Sequence, residues 1–458
     1  MKAGKKQMVV LGVALSLVFP VVPPSFAASE VSLAEYSALV LQYYPALRKQ
    51  LSRVSQAVAR KGQARSGHMP RLSALASVGS TNDPVGVFSS KLKQESFTAA
   101  DFEISRLNSP DARTNFQGAL EAHIPLFNAF QTLTSVEAAE HILNSEEYGQ
   151  QSLRMEALLS ASRVYMESLL WQEIDQVSQA VLEAALKDLE QAEDLKDRGV
   201  VLGADYYAAQ VVERSLKQFD LQAKARVQAI LHQAEVLAGG RISGQKPEGE
   251  LPLPGPEEGA LPDWLDRAHA HRPDIKALHE VIAAQEQWLK KEKRAYLPRV
   301  NAFGRVESNT RDFEGSGENY TAGLLGRMDL WDPSRAGRVG EQEQVLEELG
   351  CDLQQLRDAV SVEVSDAWQH CQALRRQVPE AAQAVRDAEE AVRLVIPLYE
   401  EGRKSIADLL ELRKIYLDTR VRLGQLKVEA ELGYLQLMAL AGELNETHIQ
   451  QLSRRLGS

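Results

Sequence analysis

Apolar and polar positions along this chain of 458 residues change period several times, in the same order twice. Pro45 and Pro70 stand 25 residues apart and flank a polar, proline-free run; Pro273 and Pro298 do the same 228 residues later. A segment of period two follows the second proline of each pair, and a second one follows soon after. Long runs of period three to four then take over. Self-similarity on this scale means that one structural unit is used twice.

In the first copy, Ser32-Leu33-Ala34-Glu35 is a capping box that starts a helix. Tyr44-Pro45 interrupts it, because a residue before proline avoids the helical region, and a second helix is expected from Ala46 to about Gly67. Strands are predicted at 71–80 and 114–124. Leu72, Ala74, Ala76 and Val78 share one face of the first; Phe116, Gly118, Leu120, Ala122 and Ile124 share one face of the second. Gln117, Glu121 and His123 fall on the opposite face. Thr81 to Arg113, between the strands, reads as a polar loop. Ala129 to Arg198 holds no proline and one glycine; as a single helix it would reach about 100 Å. Gly199 to Gly203 breaks it. Val212, Leu216, Phe219, Ala223, Val227, Ile230, Ala234 and Leu237 then form a coiled-coil seam.

The proline- and glycine-rich segment 239–262 reads as an extended linker. The second copy, 263–442, replays the first. It has a short helix to Arg272, a helix from Ile275 to Tyr296, and strands at 299–308 and 320–330. A long helix to Glu401 follows, with Pro379 and Pro397 as expected kinks. The last helix carries Leu409, Leu412, Tyr416, Thr419, Leu423, Leu426, Ala430, Gly433, Leu437 and Leu440 at heptad steps. Residues 28–238 form the first repeat and 443–458 a C-terminal tail. The copies differ mainly between their first two strands. Pro70 to Pro125 spans 55 residues and Pro298 to Asp329 spans 31.

Composition narrows the setting. Lys2, Lys5 and Lys6, the apolar stretch Met8 to Phe19 and the small residues of Ser25-Phe26-Ala27 make residues 1–27 a secretory signal peptide. Without the leader's three of the 52 basic residues, 49 remain against 63 acidic ones, which argues against a general nucleic-acid binder. No later apolar run is long enough for a spanning helix. An exported chain of this kind is periplasmic, secreted, or set in an outer membrane by strands. Cys351 and Cys371 share one helix 20 residues apart, about 30 Å, too far for a disulfide between them.

Ten-residue strands with one small or apolar face and one polar face suit a membrane barrel, although a water-facing antiparallel sheet alternates in the same way. Four strands cannot close a barrel, so in lipid several chains would have to pool them. Two chains would give eight strands and three would give twelve; periodicity does not choose.

The tandem repeat, the proline-flanked helices, Tyr296-Leu297-Pro298 leading into a strand, and two Gly-x5-Asp turns resemble the outer-membrane efflux protein (TolC-like) family. The resemblance covers about Val31 to Gly442. It implies a mainly α fold with a small membrane β part: a homotrimer with a 12-stranded β-barrel in outer-membrane lipid and a long α-helical barrel in the periplasm. It further implies passive export of a tripartite efflux or type I secretion system, beside a periplasmic adaptor (membrane fusion) protein and an inner-membrane pump of RND, ABC or MFS type. No cofactor, enzymatic activity or nucleic acid belongs to that picture.

The turns are Gly199-Val-Val-Leu-Gly-Ala-Asp205 and Gly402-Arg-Lys-Ser-Ile-Ala-Asp408. Each glycine permits a left-handed helix end, and each aspartate sits in a helix's first turn, where its charge is favoured. The resemblance adds a role. Asp408 and Glu411 match an acidic ring at the periplasmic entrance, and Asp205, Tyr399 and Lys404 match links that hold the entrance closed. Glu411 stands where the family often has a second aspartate. The alternative is that the turns serve capping alone. His269, His271 and His279 lie close in sequence, but their spacing is poor for a shared metal on a helix, and no cysteine or carboxylate pattern completes a site. No phosphate loop, nucleophile elbow or zinc-protease helix occurs. The competing reading is a periplasmic coiled-coil adaptor of an efflux complex, which should carry one hairpin rather than two.

Overall fold

The computed structural model describes residues 30–253, 255, 259–313 and 317–457. The signal peptide predicted at 1–27 lies outside the described residues. In chain order, a two-residue strand β1 (Glu30–Val31) precedes helices α1 (Leu33–Tyr43) and α2 (Pro45–Arg65). Strand β2 (Arg71–Thr81), short helices α3 (Pro84–Lys93) and α4 (Ile104–Asn108), and strand β3 (Arg113–Asn128) follow. Helices α5 (Gln131–Asp197) and α6 (Gly203–Leu237) close the first repeat, and β4 (Lys246–Pro247) lies beyond it. The second repeat comprises α7 (Leu261–His271), α8 (Pro273–Lys293), β5 (Arg299–Thr310), β6 (Gly317–Arg327), α9 (Arg335–Glu400) and α10 (Ile406–Leu440). Helix α11 (Glu446–Leu456) ends the chain.

Corresponding helices have nearly equal lengths. α1 and α7 have 11 residues, α2 and α8 have 21, α5 and α9 have 67 and 66, and α6 and α10 have 35. The capping box at Ser32 and Glu35 forms as the residues predict. Pro45 and Pro273 each sit in the first turn of a helix, where a missing amide costs nothing. α9 runs through Pro379 and Pro397 without a break. At 1.5 Å per residue α5 spans about 100 Å, and α6 covers about half of that on its return.

The four long strands form one antiparallel sheet in the order β2-β3-β5-β6. The register keeps the two faces apart: Leu72 opposes Ala122, Leu120 opposes Val306, and Val306 opposes Tyr320. On the other face Glu121 opposes Arg305, and Gln117 opposes Asn309. A slip of one residue would mix these faces, so the pattern sets the register. β3 runs four residues past its expected end, to Asn128, with a bulge between Pro125 and Phe127. β6 starts at Gly317 and stops at Arg327, so Met328 to Leu330 lie beyond the ladder.

The main core forms a collar partway along the long helices. Tyr36 and Val40 of α1, Trp264 and Ala268 of α7, and Ile449, Leu452 and Leu456 of α11 pack on α5, α9 and α10. The 239–262 segment is not a free extended spacer. Its Ile242 and Leu251 are buried, and β4 pairs in parallel with β1. The Tyr165 hydroxyl lies 2.9 and 2.7 Å from the Val31 and Glu248 carbonyl oxygens and accepts from the Glu248 amide at 3.0 Å, which pins this sheet to α5. The tail expected at 443–458 contains a helix capped by Asn445. Its apolar residues recur at three and four, a signal of an amphipathic helix too short to stand alone.

Thr81 to Arg113 is also more ordered than a loop. Asp83 accepts from the Gly86 amide at 2.7 Å and caps α3, with Pro84 in the first turn. Thr98 and Asp101 form a second capping box. These short-range polar signals compete with the low hydrophobicity that made the segment read as irregular.

Candidate functional site

The two Gly-x5-Asp turns form where long helices hand over to their shorter partners. At the first, Gly199 takes φ +78° and Val200 N donates to Leu195 O at 2.9 Å. At the second, Gly402 takes φ +71° and Arg403 N donates to Leu398 O at 2.8 Å. Both are Schellman-type endings that need a left-handed residue. The turns sit over one four-helix core. Val181, Ala185 and Ala192 of α5 meet Tyr206, Ala209 and Leu216 of α6, Val395 of α9, and Ile406, Leu409, Leu410 and Leu417 of α10. Both turns therefore occupy the same end of the molecule, beyond the collar from the sheet.

The aspartates differ. Asp408 accepts from the Ser405 amide at 3.2 Å, while Ser405 Oγ accepts from the Asp408 amide at 3.1 Å. The Lys404 ammonium lies 3.9 Å from the same carboxylate. Asp408 is exposed, as is Glu411 one turn on. Asp205 lies in the first turn of α6 and makes no capping hydrogen bond. Among the described residues it pairs with neither Tyr399 nor Lys404 within the chain. The Tyr399 hydroxyl is buried without a hydrogen-bond partner. Burial, and secondarily the nearby Asp188 charge, raise its pKa.

Two ion pairs near this end escaped the sequence reading. Arg413 Nε of α10 donates to Asp188 Oδ2 of α5 at 2.6 Å, with both side chains only 16% exposed. Arg420 Nη2 reaches Glu173 Oε1 at 2.8 Å. Each partner lies over 200 residues away, and no local pattern marks either as paired. Asp418, on the same helix as Glu411, has its pKa raised mainly by burial, with Lys414 opposing and Glu411 adding.

At the other end, the apolar face of the sheet is open: Leu72 is 79% exposed, Leu120 67%, Leu324 70% and Tyr320 84%. The polar face carries a charge network in which Arg305 bonds Glu121 and Glu307, each at 2.9 Å. β2 and β6 are, among the described residues, edges without a partner strand. Among the described residues, no helix is long and apolar enough to cross a membrane. The three close histidines go to separate partners: His269 to Ser361, His271 to Glu443 and His279 to Arg357.

A family model described as outer membrane efflux protein matches residues 37–240 and 264–443, most of the chain. The chain belongs to the outer membrane efflux protein family. It is an outer-membrane export channel that extends into the periplasm, in a family of transport proteins rather than enzymes. Protein CyaE of Bordetella pertussis is 24% identical over 448 residues, covering 94% of this chain and 88% of that protein. Outer membrane efflux protein BepC of Brucella suis is 21% identical over 353 residues, covering 75% and 76%. The CmeC outer membrane channel of Campylobacter jejuni superposes with a TM-score of 0.76 at 16% identity, over 93% of this chain and 89% of that one. VceC, an outer membrane protein of Vibrio cholerae, gives 0.72 at 19% identity, over 90% and 96%. A face rich in exposed leucine is of the kind that suits lipid, and a charged face is of the kind that suits water.

Proposed function

We propose that three copies of the chain close their sheets into one 12-stranded barrel, with the long helices forming a coaxial periplasmic duct. The observation that carries this is the sheet itself. It has an apolar face open to its surroundings and, among the described residues, two free edges, and an unpaired edge in lipid leaves backbone groups unsatisfied at several kcal/mol each. Pairing β2 of one copy with β6 of the next removes every edge. The chain divides functionally at the segment 239–262, with one repeat on each side.

At the far end, the two turns of each copy form the periplasmic entrance. Asp408 and Glu411 make an acidic ring that favours cations, as rings of carboxylates do in other pores. The capping bond of Asp408 does not conflict with this, because a carboxylate has acceptor sites beyond the one that the Ser405 amide occupies. Asp205 reaches Tyr399 or Lys404 of a neighbouring copy. The entrance docks a periplasmic adaptor, and through it an inner-membrane pump that selects the cargo.

Cysteine pairs placed across the β2 and β6 edges test the closure. Oxidation should give a ladder ending at a covalent trimer. Cross-linking that stops at dimers, or does not occur in the membrane, would refute it.

A further inference from the structure

Residues 82–112, between β2 and β3, have no counterpart in the second repeat, where only 311–316 separate β5 from β6. They fold as a small unit of their own. Lys91 Nζ binds Asp101 Oδ1 at 2.6 Å, and Phe88, Phe97 and Phe102 stack edge to face at 4.8 and 5.1 Å. This cap does not stand clear of the sheet. Lys93 Nζ lies 2.9 Å from Glu307 Oε1. Gln94 Nε2 donates to Asn115 Oδ1 at 2.8 Å, Arg113 Nε donates to Gln94 Oε1 at 2.8 Å, and Asn319 Nδ2 donates to Lys93 O at 3.3 Å. The sheet residues in these contacts share one parity with Glu121 and Arg305, so the cap lies on the polar face.

The fit is close. A Cβ on Gly317 would meet the Lys93 carbonyl oxygen at 2.1 Å. Yet the contact is polar: among the described residues Val87 is the one apolar side chain of the cap that is buried. Water can replace such bonds one by one, whereas a packed apolar seam opens only as a whole.

We propose that the cap is a second gate of the duct, folded into the lumen at its outer mouth and latched by Lys93 on Glu307. This rests on the reading of the polar face as lumenal. Three caps converging on one axis would narrow the exit, and breaking the latch would widen it.

The test is thiol labelling from outside intact cells, in a background where Cys351 and Cys371 are replaced. His123→Cys supplies the reporter, exposed on the polar face deep to the cap. A small charged thiol reagent should label it in every background, and a polyethylene-glycol maleimide slowly. Lys93→Ala removes the latch and Gly317→Ala pushes the cap away by steric contact. Each should speed the bulky reagent severalfold, about fivefold for a partly exposed ion pair, and leave the small one unchanged. Equal bulky-reagent rates in all three proteins, or fast bulky labelling with the latch intact, would overturn the gate. Failure of the small reagent in every background would instead show that this face does not line a lumen, and would overturn the duct reading beneath it.

Discussion

Removing Arg413 should loosen the entrance end more than removing Arg420, the other α10 arginine tied to α5. The guanidinium ties α10 to Asp188 of α5 at 2.6 Å, with both side chains 16% exposed. A hydrogen bond to a charged group contributes about 1.5–3 kcal/mol, and a mostly buried partner left alone adds cost. The Arg420–Glu173 pair on the same two helices is 33% and 35% exposed, and a pair that open to water is worth about 1 kcal/mol or less. About 2 kcal/mol is therefore expected for Arg413→Ala. If the bond exists only with the helices together, that is roughly a thirtyfold shift toward the open arrangement. The assay is open probability in planar bilayers for Arg413→Ala, Asp188→Ala and the double variant. Both single variants should open more often, and the double variant should add little to either. Unchanged open probability, with a coupling energy under about 0.5 kcal/mol in the cycle, would refute the reasoning.

Asp408→Asn with Glu411→Gln should weaken cation preference in reversal-potential measurements; unchanged selectivity would remove the acidic ring. Asp205→Ala should raise conductance by freeing the closed entrance, and no change would mean the links lie elsewhere. Asp418 has a raised pKa, so the fold holds its proton more tightly than the unfolded chain does, and its carboxylate opposes folding once pH rises past that value. Asp418→Asn should therefore raise the melting temperature at neutral pH, and the gain should fade in acid; a gain independent of pH would contradict this. The Cys371 thiol is pushed up to about 11 by burial, so it should resist maleimide at pH 7 until the protein is denatured.

The long elements were legible because each repeats a short-range rule many times. The seam of α6 is an example. Leu216, Ala223, Ile230 and Ala234 were placed by spacing alone, and all are buried. α10 shows the limit. Its predicted stripe includes Leu409, Leu423 and Leu437, but Leu410, Leu417, Gly424 and Leu435 are buried as well. A helix wedged between three others buries more than one stripe, and Gly424 lets Leu170 of α5 come close. The cap and α11 were missed for a different reason. The short helices of the cap show no sustained period and α11 shows only three apolar steps, and each is held by partners remote in sequence, Glu307 for Lys93 and α1 for α11. At the entrance, the glycines and capping residues were readable from the turn chemistry. The Arg413–Asp188 tie was not, because two ordinary charges on separate helices carry no mark of their pairing.

The most direct test of the account is the native mass of the protein extracted in mild detergent from purified outer membrane. A stable species of three mature chains is predicted, since the four-stranded sheet cannot close alone. A monomer recovered from the soluble periplasmic fraction would contradict the composite barrel and the duct built on it.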